Sequence, residues 1–144
     1  MALSIADATI LPDPIIGPVT VIINGTLYCT VNGGLGVNGS ATPAFTDALV
    51  QLRCRERTVV VASAITNSTG MFAINFRPSP LIFVGLIGGS CQLRVATPLV
   101  RCNSTLPSDR FLVSTGLRSR GTAFSGTSIT VNIVPDGFTL SAQN

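Results

Sequence analysis

Short segments in which apolar and polar residues alternate are the feature that most constrains the fold. In ALVQLRCR, every second residue is apolar, and these residues would share one face of a strand: Ala48, Val50, Leu52 and Cys54. Alternation with a period of two is typical of a strand that packs one face on a core. The pattern therefore predicts a β-strand that buries Cys54 and turns its arginines outward.

Similar segments recur along the chain between residues that favour turns, and helix signals are nearly absent. Short strands at this spacing predict an all-β fold, either an antiparallel β-sandwich or a closed β-barrel of about seven to nine strands. Between two of them, TNSTG predicts a turn and a hairpin over residues 59–76. The expected strands are Val19–Ile23 (extended toward Val31), Ala48–Arg55, Val59–Thr66, Met71–Phe76, Leu81–Leu86, Cys91–Ala96, Phe111–Ser114, Ser128–Val134 and Phe138–Leu140.

The 144 residues contain no repeat or linker, so we expect a single β domain over residues 19–144. Residues 1–18 carry prolines at positions 12, 14 and 18 and suit an extended arm better than a central strand. Such an arm would lie along its own domain or add an edge strand to a neighbour. The first residues lack the basic and long apolar segments of a signal peptide, which favours a mature or trimmed chain.

The composition argues against several classes of function. Hydrophobic residues make up 46% of the chain and charged residues 10%, and the nine basic residues, all arginines, give a net charge of +3. Without a concentrated basic face and stacking aromatic residues, we expect no nucleic-acid partner. No uninterrupted apolar run approaches the roughly 18 residues of a membrane span. Because histidine is absent and no acidic pair or phosphate-binding loop stands out, we expect neither an enzyme nor a bound cofactor.

The four cysteines are widely spaced and lack a C-x-x-C pair: Cys29, Cys54, Cys91 and Cys102. Without histidine, only an all-cysteine zinc site would remain open, and we expect no metal. An even number with wide spacing fits two disulfides and an oxidising compartment. Three pairings are possible.

Four N-x-S/T sequons lie in or beside turn-like sequence, at Asn24, Asn38, Asn67 and Asn103. Each is a weak signal, because Asn-Gly and Asn-Ser are also good turn formers. Together with the cysteines, they predict a secreted, extracellular glycoprotein.

The sharpest polar feature is the set Arg53, Arg55 and Arg57, which would line one strand face. Arginine binds phosphates and carboxylates bidentately, so this face is a hypothetical site for anionic lipid, phosphate or acidic glycan. We favour a simpler interpretation, a solvated outer face that keeps an apolar protein soluble. The apolar run from Leu81 to Ile87 also has two interpretations: a buried strand, which we favour, or part of an exposed apolar patch.

Several segments together resemble the phylloplanins, secreted leaf-surface glycoproteins within the olive-pollen major-allergen and extensin-like family of plants. They are GTLYCTVNG, ALVQLRCR, TNSTGMFAINF, CQLRVATPL, CNSTLPS and PDGFTL. The resemblance implies a secreted, disulfide-bonded β-sandwich or barrel with a role in defence, inhibiting germination of oomycete or fungal spores. The wider family usually has six cysteines, whereas this chain has four.

Two structural details follow from the resemblance. It implies a Cys29–Cys102 disulfide, which leaves Cys54 to pair with Cys91. Asn24-Gly25 between apolar runs is by itself a hairpin signal, but the corresponding stretch of the family is one strand, and we expect one strand here.

We therefore expect a non-catalytic defence protein that contacts a microbial surface or a component of the plant cuticle or cell wall. The contact would use apolar and arginine-bearing surface. The alternative is a self-assembling extracellular or cell-wall protein that forms homo-oligomers or filaments through its N-terminal arm.

Overall fold

The computed structural model describes residues 18–36, 42–55 and 58–141. These residues form seven strands and one short α-helix, which confirms the predicted all-β class. Residues 1–17 of the expected arm lie outside the described residues, so the division into an arm and one domain stays a prediction. The elements are β1 (Val19–Thr26), β2 (Leu49–Cys54), β3 (Val59–Ile65), β4 (Met71–Phe76), α1 (Pro80–Gly88), β5 (Gln92–Val95), a 3₁₀ turn (Leu99–Arg101), β6 (Leu112–Ser125) and β7 (Ser128–Leu140).

All seven strands belong to one sheet, in the order β3-β2-β5-β6-β7-β1-β4. Neighbouring strands are antiparallel, except that β1 and β7 run parallel. The outermost strands, β3 and β4, approach each other without forming a ladder. The sheet therefore curls into a nearly closed barrel.

The predicted hairpin over residues 59–76 is wrong, although its turn forms. The Gly70 N–H donates to the Asn67 carbonyl at 2.9 Å, as in a compact turn. Beyond the turn, β3 pairs with β2 whereas β4 pairs with β1. The Leu27 N–H donates to the Gly70 carbonyl at 2.8 Å and so holds the start of β4 beside the end of β1.

Alternate residues of the strands fill the interior of the barrel. The core face predicted around β2 is confirmed, since its four residues are each at most 1% exposed. Burial of a large aliphatic side chain contributes about 1.5–3 kcal/mol, so Val50 and Leu52 stabilise the fold substantially. Fully buried side chains of β1, β4 and β5 extend this core: Val21, Ile23, Ile74, Leu93 and Val95.

β1 runs through Asn24-Gly25 as a single strand, which confirms the expectation taken from the resemblance. Asn24 pairs with Ala73 and Gly25 with Phe72, both on β4. A Cβ at Gly25 would lie 2.5 Å from Cζ of the buried Phe72 ring, so the glycine lets this ring pack against the backbone. β1 ends at Thr26 and does not extend toward Val31.

β6 and β7 form one long hairpin whose strands are longer than the sequence pattern predicts. The strand expected over Phe111–Ser114 continues to Ser125, and the two expected last strands are a single strand. The segment after Ser114 is exposed and rich in glycine and polar residues, so it shows no core-facing alternation. Pro135, which has no N–H, is tolerated within β7 beside a bulge at Gly116 and Leu117.

The strand predicted over Leu81–Leu86 is wrong, because this segment forms helix α1. The Ser79 hydroxyl caps the helix by accepting from the Ile82 N–H at 3.2 Å, and Pro80 is its first residue. Gly89 ends the helix with a left-handed φ of 87°. Ser-Pro before the run and Gly-Gly after it are helix start and stop signals, and they outweigh its strand-like apolar content.

Candidate functional site

Two disulfides fasten the barrel. Cys29 bonds to Cys102 and Cys54 to Cys91, with Cα–Cα distances of 5.6 and 4.1 Å. This is the pairing that the resemblance implied. Because Cys54 ends β2 and Cys91 follows α1, the second disulfide ties the helix segment to the edge of the core.

Three of the four sequon asparagines lie in the described residues and are exposed: Asn24, Asn67 and Asn103. In the last two, the side-chain oxygen accepts from the hydroxyl of the threonine two residues later, at 2.8 Å in both cases. These bonds use the amide oxygen, whereas the glycan of N-glycosylation is carried by the amide nitrogen. Asn38 lies outside the described residues.

The predicted row of three arginines is interrupted after Arg53. β2 ends at Cys54, and Arg55 has a left-handed φ of 56°. The Thr58 N–H and hydroxyl both donate to the Arg55 carbonyl, at 3.3 and 2.8 Å, and this tight turn takes Arg55 out of the strand. Glu56 and Arg57 lie outside the described residues.

A second arginine, Arg94 of β5, joins Arg53 on the outer face of the sheet. The Arg53 guanidinium donates to the Gln51 side chain at 2.7 and 3.1 Å, and the ladder places Gln51 opposite Arg94. The Arg94 guanidinium lies 4.6 Å from the Phe111 ring centroid. Burial, and secondly the positive charge of Arg53, lower the pKa of Arg94. Two cations that repel each other in this way suit an anionic partner.

Sequence reasoning missed Arg94 because its partner strand is distant along the chain. Arg94 sits at an outward position of QLRV, so the alternation alone indicates its face. The β2–β5 pairing joins segments about 40 residues apart, and no local sequence pattern predicts such a pairing. The salt bridge found within the described residues joins Arg118 to Asp136 at 2.8 Å. It lies on the β6–β7 hairpin and involves neither Arg53 nor Arg94.

An open cleft of 620 Å³ lies where β1, β4 and β7 meet the end of β3. Exposed Ile65 and Met71 form part of its apolar wall, and Arg120 adds a guanidinium. The sequon residues Asn24 and Asn67 also line it, so a glycan on either would stand beside the cleft. Its mixed lining suits a ligand that has both apolar and hydrogen-bonding groups.

Helix α1 carries a group of exposed apolar side chains. Its nine residues, PLIFVGLIG, include no polar side chain. Leu86 is buried against the core, whereas the outward residues Leu81, Val84 and Ile87 are 62%, 66% and 69% exposed. We call these three residues the α1 patch. The apolar run is therefore partly buried and partly exposed. The prediction of a wholly buried strand is wrong.

Metal and membrane-span signals are lacking in the part of the chain that the structure describes. No group of three or more His, Cys, Asp or Glu side chains there could hold a metal ion. Within the same residues, no helix is long and apolar enough to cross a membrane.

The fold and its surfaces define a small disulfide-bonded β-barrel with exposed apolar and cationic regions. The family model described as "Phylloplanin antifungal protein" matches residues 18–144, and the chain therefore belongs to the phylloplanin family. Phylloplanin from Nicotiana tabacum is 42% identical over 121 residues, which cover 83% of this chain and 75% of that protein. The resemblance found in the sequence is thus confirmed.

Among solved structures, the chain is similar to the major plantain pollen allergen Pla l 1. The match covers 81% of this chain and 94% of the allergen, at 14% identity and a TM-score of 0.37. A likeness this weak supports no conclusion about the present protein.

Proposed function

We propose that this protein is a secreted, N-glycosylated plant-surface protein that defends against fungi by inhibiting spore germination, and that it acts without catalysis. The observation that carries the proposal is the match of residues 18–144 to a family described as antifungal. The relative from Nicotiana tabacum supports the same assignment over most of the chain.

Secretion is supported by the combination of disulfides and sequons. Both disulfides close long loops, of 73 and 37 residues, and such bonds persist in oxidising compartments. The exposed asparagines Asn24, Asn67 and Asn103 leave room for glycans on the folded barrel. Glycans there would also add polar surface to a chain of high apolar content.

The proposed mechanism is contact with a microbial surface through apolar and arginine-bearing regions. The α1 patch provides exposed aliphatic side chains. The outer face of the sheet provides the guanidinium groups of Arg53 and Arg94, on neighbouring strands, and such groups bind anions through charge-assisted hydrogen bonds. The alternative of assembly through the N-terminal arm gains no support, because residues 1–17 lie outside the described structure.

The test is a germination assay with protein purified from plant secretions. We expect inhibition that rises with protein concentration and that is lost after reduction and alkylation of the disulfides. A protein acting by contact should be consumed in proportion to spore number, so twice as many spores should need about twice as much protein. An enzyme would instead reach the same inhibition with less protein and more time. Normal germination at saturating protein would contradict the proposed function.

A further inference from the structure

The outer face of α1 lacks the polar residues that a surface helix of a soluble protein normally carries. The three patch residues lie at spacings of three, so successive members are about 60° apart around the helix and together cover one broad side of it. Each is more than 60% exposed. This face therefore has no partner within the described residues, and its hydration is unfavourable.

Cationic side chains flank the patch. Arg55 and two residues of the patch, Leu81 and Val84, line the same 210 Å³ cavity beside α1. Arg55 is exposed, as is Arg77, which lies three residues before the first residue of the helix, Pro80. Among the described residues, those that line this cavity include one cation, Arg55, and no acid. This described part of the flank thus complements a negatively charged partner.

The patch is also held rigidly. Arg55 directly follows Cys54, and Cys54 is bonded to Cys91 just after the helix. The disulfide therefore ties the backbone that carries Arg55 to the segment that follows the helix before any partner binds. Such preorganisation reduces the entropy lost on binding.

A second copy of the chain fits this patch poorly. A symmetric dimer through α1 would bring two copies of Arg55 together, and like charges repel. Three side chains also offer much less than the roughly 800 Å² per partner of a stable protein interface. A lipid surface needs neither a matching shape nor that area, because a few aliphatic side chains can enter it at the level of the headgroups.

We infer that α1 docks on the surface of an anionic phospholipid bilayer. Leu81, Val84 and Ile87 enter the boundary between headgroups and acyl chains, and Arg55 binds a headgroup phosphate. This inference rests on the proposed function, since it names the microbial component that the protein contacts.

Vesicle flotation tests the inference directly. Purified protein is floated with vesicles of phosphatidylcholine alone or of phosphatidylcholine mixed with phosphatidylglycerol. We expect the wild type to bind the anionic vesicles, and the triple variant Leu81→Gln, Val84→Gln, Ile87→Gln to bind them about tenfold or more weakly. Arg55→Gln should weaken binding to the anionic vesicles about fivefold at low salt and leave binding to neutral vesicles unchanged.

A matched control replaces three other exposed apolar residues: Val31→Gln, Leu35→Gln, Phe124→Gln. They are 49%, 56% and 72% exposed, and they lie outside both α1 and the cleft. This control variant should bind as the wild type does. All the substituted side chains are exposed, and circular dichroism verifies that each variant folds.

Equal binding by the helix variant and the control variant would overturn the inference, as would a wild type that binds neither vesicle. Conversion of a dimer into a monomer by the helix substitutions, with vesicle binding intact, would assign the patch to a second copy and also overturn it. The assay contains no spores, so a negative result here is separate from the germination assay. Spore inhibition without vesicle binding would leave the defence function standing and remove the lipid target.

Discussion

At the residue scale, Gly70 occupies a position that no other residue fills without strain. Its φ of +81° lies in the left-handed region that side chains rarely adopt. A Cβ there would also overlap the carbonyl oxygen of Leu27, a backbone atom that cannot rotate away. The pattern TNSTG predicted the turn from its turn-forming residues. The contact with Leu27 is not local, so only the structure reveals this second requirement.

Replacing Gly70 should therefore cost more than conformational strain alone. We expect Gly70→Ala to lower the free energy of unfolding by about 3 kcal/mol, measured by urea denaturation. Gly89→Ala is the matched control, since Gly89 has a φ of +87° and its Cβ would meet nothing within 4 Å. The control should lose about 1 kcal/mol. Equal losses at the two positions would contradict the proposed overlap.

Thr66 is a buried hydroxyl whose two hydrogen bonds close the barrel beside β2. Its oxygen accepts from the Ala48 N–H at 2.8 Å and its hydroxyl donates to the Phe45 carbonyl at 2.6 Å. Thr66→Val keeps the shape but leaves both groups buried without a partner, so we expect a loss of about 3 kcal/mol in unfolding free energy. Thr139→Val, at an exposed position of β7, should change it by less than about 0.5 kcal/mol. A small effect at Thr66 would show that water reaches these groups.

At the scale of elements, the alternation of apolar and polar residues predicts a strand correctly where that strand buries one face. It fails where both faces of an element are apolar or both are exposed. The alternation around β2 predicted its core face, because a single buried face imposes a period of two. α1 is apolar on its buried and exposed faces alike, so it carries no period, and only Ser79 and Gly89 marked its ends. The part of β6 after Leu117 is exposed and has no apolar face that a pattern could reveal. Among candidate site residues, Arg53 could be placed from the alternation, while Arg94 required the pairing of distant strands.

The cap on α1 gives an element-scale prediction. Ser79→Ala removes the acceptor for the Ile82 N–H, and we expect a loss of about 1 kcal/mol in unfolding free energy. Ser79→Asp keeps an acceptor at the same position and should retain most of the stability. Because α1 carries the patch, the alanine variant should also bind anionic vesicles less tightly. Equal stability of the alanine and aspartate variants would show that the cap contributes little.

At the scale of the whole molecule, the cysteines and the strand pattern predict a disulfide-bonded all-β domain, and the structure confirms this class. The family followed from several segments spread over the chain, which no single motif could have supplied. The order of the strands in the sheet could not be predicted from the sequence, since the parallel β1–β7 pair joins residues more than 100 positions apart. Such contacts depend on the closure of the barrel, and no local sequence pattern indicates them.

The disulfides supply a whole-molecule prediction. Removing Cys29–Cys102 as a Cys29→Ser, Cys102→Ser variant should lower the unfolding free energy by about 4 kcal/mol, because the bond restricts a long loop of the unfolded chain. The Cys54→Ser, Cys91→Ser variant should lose slightly less, since it closes 37 residues instead of 73. Urea denaturation of the two variants under oxidising conditions measures both losses. Unchanged stability in either variant would mean that its disulfide is not formed in the wild type.

The central claim is that this phylloplanin-family protein inhibits fungal spores by surface contact made through the α1 patch. One germination assay compares the wild type, the variant Leu81→Gln, Val84→Gln, Ile87→Gln and the control variant Val31→Gln, Leu35→Gln, Phe124→Gln. We expect the helix variant to need about tenfold or more protein for half-maximal inhibition and the control variant to match the wild type. Identical inhibition curves for all three proteins would contradict it.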